Sequence, residues 1–376
     1  MIVITVLVNS CFYVNGTSCF PSIISFGDSL ADTGNMKQLA LIFDLQLPAL
    51  SWPNGEDFYD HSTGRSSNGR LIIDFLAESL GLPLVPPFLH DKDIDNAVAF
   101  RQGVNFAVGG ASALDPSVLL EAKGLVNPTT NVSLRVQLEW FKQSLPSICG
   151  NASDCRNFIG SSLFLVGEIG QTDYNMLYFD GNSVNEVVPF VPLIVDSIVS
   201  TINELIEMGA QTLVVPGILP LGCLGTYLTT CGSEMQKYDP ATGCLIALNE
   251  FAEYQNELLQ TKLIQIRELH PNVNIIYADY YGASMQIIRS PDKFGFTNGA
   301  LKACCGGGGL YNVNMSANCG AESASACDQP DTYVSWDGVH FTEAAYKLVA
   351  RNLFEGAFTT PQFNSLCHTS ILLSSM

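Results

Sequence analysis

Short apolar runs alternating with long helical stretches constrain this chain more than any other feature. Residues 22–26, 163–166, 212–215 and 274–277 are runs of four or five, rich in Ile, Val, Leu and Phe, the length and character of strands buried on both faces. Stretches near 187–208, 245–269 and 343–354 carry apolar residues at helical spacing. Alternation of this kind implies a parallel sheet with helices packed on either side. The expected fold is α/β, a three-layer α/β/α sandwich around a mainly parallel central sheet. At 376 residues and 47% hydrophobic content, with no internal linker, repeat or low-complexity segment, residues 17–376 read as a single domain large enough for a substantial core.

Two motifs at opposite ends of the chain carry chemistry. Phe26-Gly27-Asp28-Ser29-Leu30-Ala31-Asp32-Thr33-Gly34-Asn35 follows the first strand, and Trp336-Asp337-Gly338-Val339-His340-Phe341 lies near the finish. Ser29 falls just past a strand end, the edge of an open α/β sheet where ligands bind. Read alone, Asp28 and Ser29 serve equally well as a helix cap. Asp337 and His340 are three residues apart, a spacing that lets the carboxylate reach one imidazole nitrogen while the other faces a serine. Of the five histidines, His61, His90, His270 and His368 lack a comparable acidic, aromatic and glycine context. Together the motifs supply the nucleophile, base and orienting acid that activate a hydroxyl against an ester.

These residues resemble the plant GDSL esterase/lipases of the SGNH hydrolase superfamily, with its flavodoxin-like sandwich. The resemblance runs from Ser22 to about Phe354 and includes Gly103-Val104-Asn105-Phe106-Ala107-Val108-Gly109-Gly110-Ala111, Val166-Gly167-Glu168-Ile169-Gly170, Pro220-Leu221-Gly222-Cys223 and Cys304-Cys305-Gly306-Gly307-Gly308-Gly309. It implies a serine esterase with Ser29, Asp337 and His340 as triad, no cofactor and no metal. It also implies an oxyanion hole from the Ser29 N–H, a glycine N–H of the second block and an asparagine side chain of the third. Gly110, five residues after Asn105, fits the family spacing, with Gly109 as the fallback. The third block departs: Gly167-Glu168-Ile169-Gly170-Gln171-Thr172-Asp173-Tyr174-Asn175 places Thr172 where plant members carry the asparagine. A hydroxyl on a short β-branched stem replaces a two-donor amide. Three outcomes are open. Gln171 supplies the amide and hydrolysis is ordinary; Thr172 reshapes the pocket for acyl transfer to an alcohol; or the protein is a weakened ligand-binding homologue.

The formal charge of −19, from 36 acids and 17 bases, argues against nucleic acid or an anionic membrane surface as partner, leaving a small-molecule ester. Residues 1–16 read as a signal peptide without the usual basic start, Val14 and Gly16 taking the cleavage positions, and fall short of a membrane span. Twelve cysteines fit an oxidising compartment, extracellular, cell wall or vacuole, with local pairing expected for Cys149 with Cys155 and Cys231 with Cys244, and disulfides rather than metal for Cys304 and Cys305. Sequons at Asn15, Asn131, Asn151 and Asn314 fit glycosylation. Aromatics of residues 52–59 and 173–179 are candidates for lining a pocket for a flat metabolite. No segment reads as an amphipathic lipid-docking lid.

Overall fold

The computed structural model describes residues 19–368, apart from residues 59, 91–95 and 234–235 and the side chains of 96 and 97. The predicted signal segment, Asn15 and Tyr59 therefore lie outside the described residues. One six-stranded sheet organises the chain: β1 (Ile23–Phe26), β2 (Gly103–Asn105), β3 (Leu163–Val166), β4 (Thr212–Pro216), β5 (Asn274–Ala278) and β6 (Thr359–Thr360), in the order β2-β1-β3-β4-β5-β6. The first five are parallel, and β6 closes one edge antiparallel to β5. The runs β1, β3 and β4 are buried at every position, because helices cover both faces and leave no side for polar residues.

The helices Leu134–Ile148, Val191–Met208 and Ile246–Leu269 pack together in one layer, and Ile72–Ser79, Tyr280–Ile288 and Glu343–Phe354 in the other. The last starts as the sequence predicts, with Thr342 Oγ1 accepting the Ala345 N–H. The long helix expected from 187 begins at Val191: Pro189 falls in a short turn of the preceding segment, and Pro192 sits in the first turn of the helix, where a proline is best tolerated. Sequence reading missed β2 and β6, which are too short to carry a period, and the helices Ile72–Ser79, Leu134–Ile148, Gln171–Phe179 and Tyr280–Ile288; in Gln171–Phe179 the apolar residues are too evenly spread to show a face.

Five disulfides join the described residues. Cys149–Cys155 forms as expected. The expected Cys231–Cys244 pairing does not: Cys244 bonds Cys223, at a Cα separation of 4.4 Å, and Cys231 is a free thiol. The Leu245 N–H donates to the Gly222 carbonyl at 2.8 Å, which lays Cys244 beside Cys223, while the helix Gly225–Thr230 carries Cys231 onward. The adjacent Cys304 and Cys305 take different partners, Cys327 and Cys319, and Cys19–Cys367 ties the ends. The sequon residues Asn131, Asn151 and Asn314 are exposed.

A buried ion pair braces the first motif. Arg65 donates from Nε and Nη2 to both oxygens of Asp74 at 2.7 Å, and its Nη1 donates to the Thr33 carbonyl at 3.2 Å. The side chains are 6% and 0% exposed. Asp74→Ala removes both carboxylate oxygens from a buried guanidinium, so denaturant unfolding should register a loss of about 3–5 kcal/mol. A loss below about 1 kcal/mol would place the pair among ordinary surface bridges.

Candidate active site

Because β1 lies between β2 and β3, the chain leaves β1 toward one side of the sheet and later crosses to the other. A crevice opens at the carboxyl ends of the strands where that reversal occurs. The loops after β1, β2 and β3 meet there and are pinned by their own backbones. The Val108 N–H donates to the Gly27 carbonyl at 3.2 Å and the Asp28 N–H to the Glu168 carbonyl at 3.1 Å. Gly27 has φ 149°, and a Cβ on it would lie 2.8 Å from the Glu168 carbonyl oxygen, so this close approach requires glycine.

Asp32 does more than sequence reading gave it. Its Oδ1 accepts the Gly34 and Asn35 N–H groups at 2.7 and 2.6 Å, and its Oδ2 the Met36 and Gly109 N–H groups at 2.9 and 2.7 Å. It thereby binds the start of the helix Asn35–Phe43 to the second-block loop, a favourable place for a carboxylate. Asp173 likewise accepts from Ala113 and Leu114 N–H at 2.7 and 3.1 Å, and Gln137 clasps Gly27 through both its N–H and its carbonyl.

The three predicted triad residues come together. His340 Nε2 lies 2.7 Å from Ser29 Oγ, and Nδ1 lies 2.7 Å from Asp337 Oδ2. Asp337 Oδ1 accepts the N–H groups of Val339 and His340 at 3.0 and 2.8 Å, which fixes the carboxylate beneath the ring. The loop is held by the fully buried Trp336, whose indole N–H donates to Asn54 Oδ1 at 2.9 Å and whose carbonyl accepts from Cys305 N–H at 2.7 Å. Burial alone would lower the His340 pKa, but the charge and hydrogen bond of Asp337, followed by the charge of Asp28, raise it above 6.5. Asp337 is lowered in turn: His340 outweighs the burial that would raise it.

Behind Ser29 stands a knot of buried carboxyls. Burial pushes Asp28 up to about 6 despite the Leu30 N–H and His340 beside it. Burial and the adjacent Asp28 hold Glu168 well above the usual carboxylate range, and burial pushes Asp173 to about 7. Like charges this close do not all ionise together.

Ser29, Gly110, Thr172 and His340 all line one cavity of about 630 Å³. Among the described residues, the Ser29 and Gly110 N–H groups have no hydrogen-bond acceptor. That of Gly109 is occupied by Asp32, which disfavours it as the oxyanion donor. The Thr172 hydroxyl points to Asp28 Oδ2 at 3.5 Å. Gln171 is 2% exposed and absent from the lining, so the structure does not place its amide at the cavity. Met36, Leu47, Leu50, Val126, Met176 and Phe179 make the walls largely apolar, and no lysine or arginine lines them.

Of the aromatic segments, 173–179 contributes Asn175, Met176 and Phe179 to this cavity, while Tyr174 and Tyr178 are buried in the core. The 52–59 loop does not: Trp52, Pro53, Glu56 and Asp57 line a separate hollow, because Asn54 is drawn inward to cap the Trp336 indole. At the end of the helix Asn35–Phe43, Leu41, Ile42 and Phe43 are 62–69% exposed, an apolar edge that the sequence reading did not register as a lid or docking element.

The family model for GDSL-like lipase/acylhydrolase matches residues 23–353. The chain belongs to the GDSL lipase/acylhydrolase family. The Arabidopsis thaliana protein GDSL esterase/lipase At1g28580 is 52% identical over 358 residues, covering 94% of this chain and 90% of the relative. GDSL esterase/lipase At1g31550 of the same plant is 52% identical, covering 94% and 88%, and At1g28590 is 50% identical, covering 96% and 89%. For a GDSL family member, the convergence of the first and last motifs at one strand edge is the expected placement, and the site was legible because each motif is short and self-contained.

Proposed function

We propose that this chain is a secreted serine esterase that cleaves an uncharged carboxylic ester through an acyl-enzyme on Ser29. The observation that carries the reading is the continuous hydrogen-bonded relay from Asp337 through His340 to Ser29, opening on an apolar cavity. His340 accepts the Ser29 proton as the oxygen attacks the ester carbonyl, and Asp337 stabilises the resulting imidazolium. The Ser29 and Gly110 N–H groups hold the oxyanion. His340 then protonates the leaving alkoxide, and water attacks the acyl-enzyme by the same route in reverse. The absence of a lysine or arginine from the walls favours a neutral acyl or alcohol group, such as an acetyl or phenolic ester, over a phosphate- or carboxylate-bearing one. Five disulfides support passage through an oxidising compartment, where Asn131, Asn151 and Asn314 are open to glycosylation.

A second reading, acyl transfer to an alcohol, draws on Thr172, whose hydroxyl is turned to Asp28 and leaves the third oxyanion position altered. A panel of acetyl and phenolic esters with and without alcohol acceptors separates the two: free acid identifies the hydrolase, new ester the transferase. Fluorophosphonate labelling of the wild type but not of Ser29→Ala is expected in either case. Absence of labelling together with inertness toward the whole panel would leave only a ligand-binding role.

The raised His340 sets a pH dependence. The base must be neutral to accept a proton, so kcat/KM should rise with pH and its acidic limb should centre above pH 6.5. A limb centred well below that value would remove Asp337 as the group controlling His340.

A further inference from the structure

The helix Gln171–Phe179 turns one face to the catalytic cavity. Thr172, Asn175, Met176 and Phe179 all line it, at the i, i+3, i+4 and i+7 positions that share a helical face. Met176 and Phe179 are apolar, and the Thr172 hydroxyl is turned to Asp28. Asn175 is different. Its Oδ1 accepts a hydrogen bond from the Tyr227 hydroxyl at 2.7 Å. Tyr227 is itself fully buried and packed against Tyr178 and Phe179, so the carbonyl end of the amide is fixed toward the interior. The amide nitrogen, on the other side of the same planar group, donates to no described residue and stays accessible. An amide pinned at its oxygen in this way offers its N–H donors to the cavity. The other cavity amides do not compare. Asn127 spends both ends on the backbone, Nδ2 donating to the Gly110 carbonyl at 2.8 Å and Oδ1 accepting the Thr129 N–H at 2.9 Å, and Asn318 lies exposed.

We propose that Asn175 is a substrate-binding residue whose amide N–H groups hold a second oxygen of the ester, a ketone, ether or hydroxyl oxygen set apart from the reacting carbonyl. The inference rests on the esterase reading and narrows it to oxygenated esters. Thr172 lies against Asp28, the residue before Ser29, and Asn175 follows three positions later, a rise of ~4.5 Å along the helix. The second oxygen therefore stands roughly that far beyond the carbonyl that Ser29 attacks. Walls this apolar sharpen the choice: a purely hydrocarbon substrate would strip water from the Asn175 amide and leave it unpaired, whereas an acceptor oxygen restores the lost bond. Tyr227 is the positioning residue, since it acts only by holding the amide's orientation.

The test compares kcat/KM, measured as acid release, within two near-isosteric pairs: ethyl 4-oxopentanoate against ethyl pentanoate, and 2-methoxyethyl acetate against butyl acetate. The first pair places the oxygen on the acyl side and the second on the alcohol side, and each rate is divided by that ester's own rate with hydroxide. Wild type should prefer the oxygenated member of one pair about tenfold, the worth of one hydrogen bond. Asn175→Asp keeps an oxygen for Tyr227 but puts a second oxygen where the N–H₂ stood, and Asn175→Leu removes both; each should abolish the preference. Tyr227→Phe should reduce it, because the amide is no longer held.

The proposal is overturned if wild type shows no preference in either pair, or if the preference survives in either Asn175 variant. Survival with kcat lowered equally on both members would make Asn175 an oxyanion donor instead, and survival with rates unchanged a structural partner of Tyr227 alone. Inertness of wild type toward all four esters would count against the esterase reading, not against this one. The preference is then read as a tenfold difference in Kd within the same pairs, titrated by NMR on Ser29→Ala, and equal Kd values would overturn it.

Discussion

His340→Ala is expected to lower kcat for ester hydrolysis by roughly 10⁶-fold, and Ser29→Ala by about as much. The double variant should be hardly worse than either single one, because nucleophile and base act as one unit whose parts have no separate value. What remains should be a slow background reaction, supported by the Ser29 and Gly110 N–H groups and by binding in the apolar cavity. Single-turnover kinetics with a chromogenic acetyl ester measures this directly. Additive losses would mean that Ser29 and His340, although 2.7 Å apart, serve different steps. Because His340 already lines the cavity, its truncation enlarges that space rather than opening a new void in the core, so a thermal unfolding scan should show a small change.

Thr172→Asn is expected to raise kcat on the order of 10²-fold with little change in KM. A single oxyanion donor is worth about that much when it is aimed at charge that exists only in the transition state. In the native protein the Thr172 hydroxyl faces Asp28 and Gln171 does not reach the cavity lining, so the proposed mechanism leaves the oxyanion to two backbone N–H groups. The asparagine's longer arm can turn an N–H into the hole while its carbonyl faces away from Asp28. An unchanged kcat would mean that the Ser29 and Gly110 donors already suffice. A gain confined to hydrolysis, with transfer to alcohols lost, would instead identify Thr172 as the residue that selects the acceptor.

The sheet was legible in the sequence because β1, β3, β4 and β5 are buried on both faces and thus read as unbroken apolar runs. β2 and β6 were not, being three and two residues long, too short to carry a period. The convergence of the candidate triad was legible because Asp337 and His340 are local neighbours and Ser29 sits at a strand end. Asp32, Asp173 and Gln137 were not, since their work is to satisfy backbone N–H and carbonyl groups on segments up to 110 residues away, and such pairings leave no local pattern. The same holds for Cys244, whose choice of Cys223 over Cys231 is decided by one backbone hydrogen bond at Gly222 rather than by spacing.

The proposed nucleophile and base, Ser29 and His340, are 311 residues apart in sequence, and Cys19–Cys367 closes the chain just outside them, with a separation of 348. During synthesis, therefore, Ser29 emerges early and waits without its base until almost the entire polypeptide has been made. On the proposed mechanism, a truncated translation product ending before His340 lacks the base and keeps at most the slow background reaction, however much of the parallel sheet it has already assembled. On that mechanism a message interrupted late yields nearly silent protein, and a cell making this enzyme is spared all but its background activity until the final segment has been delivered.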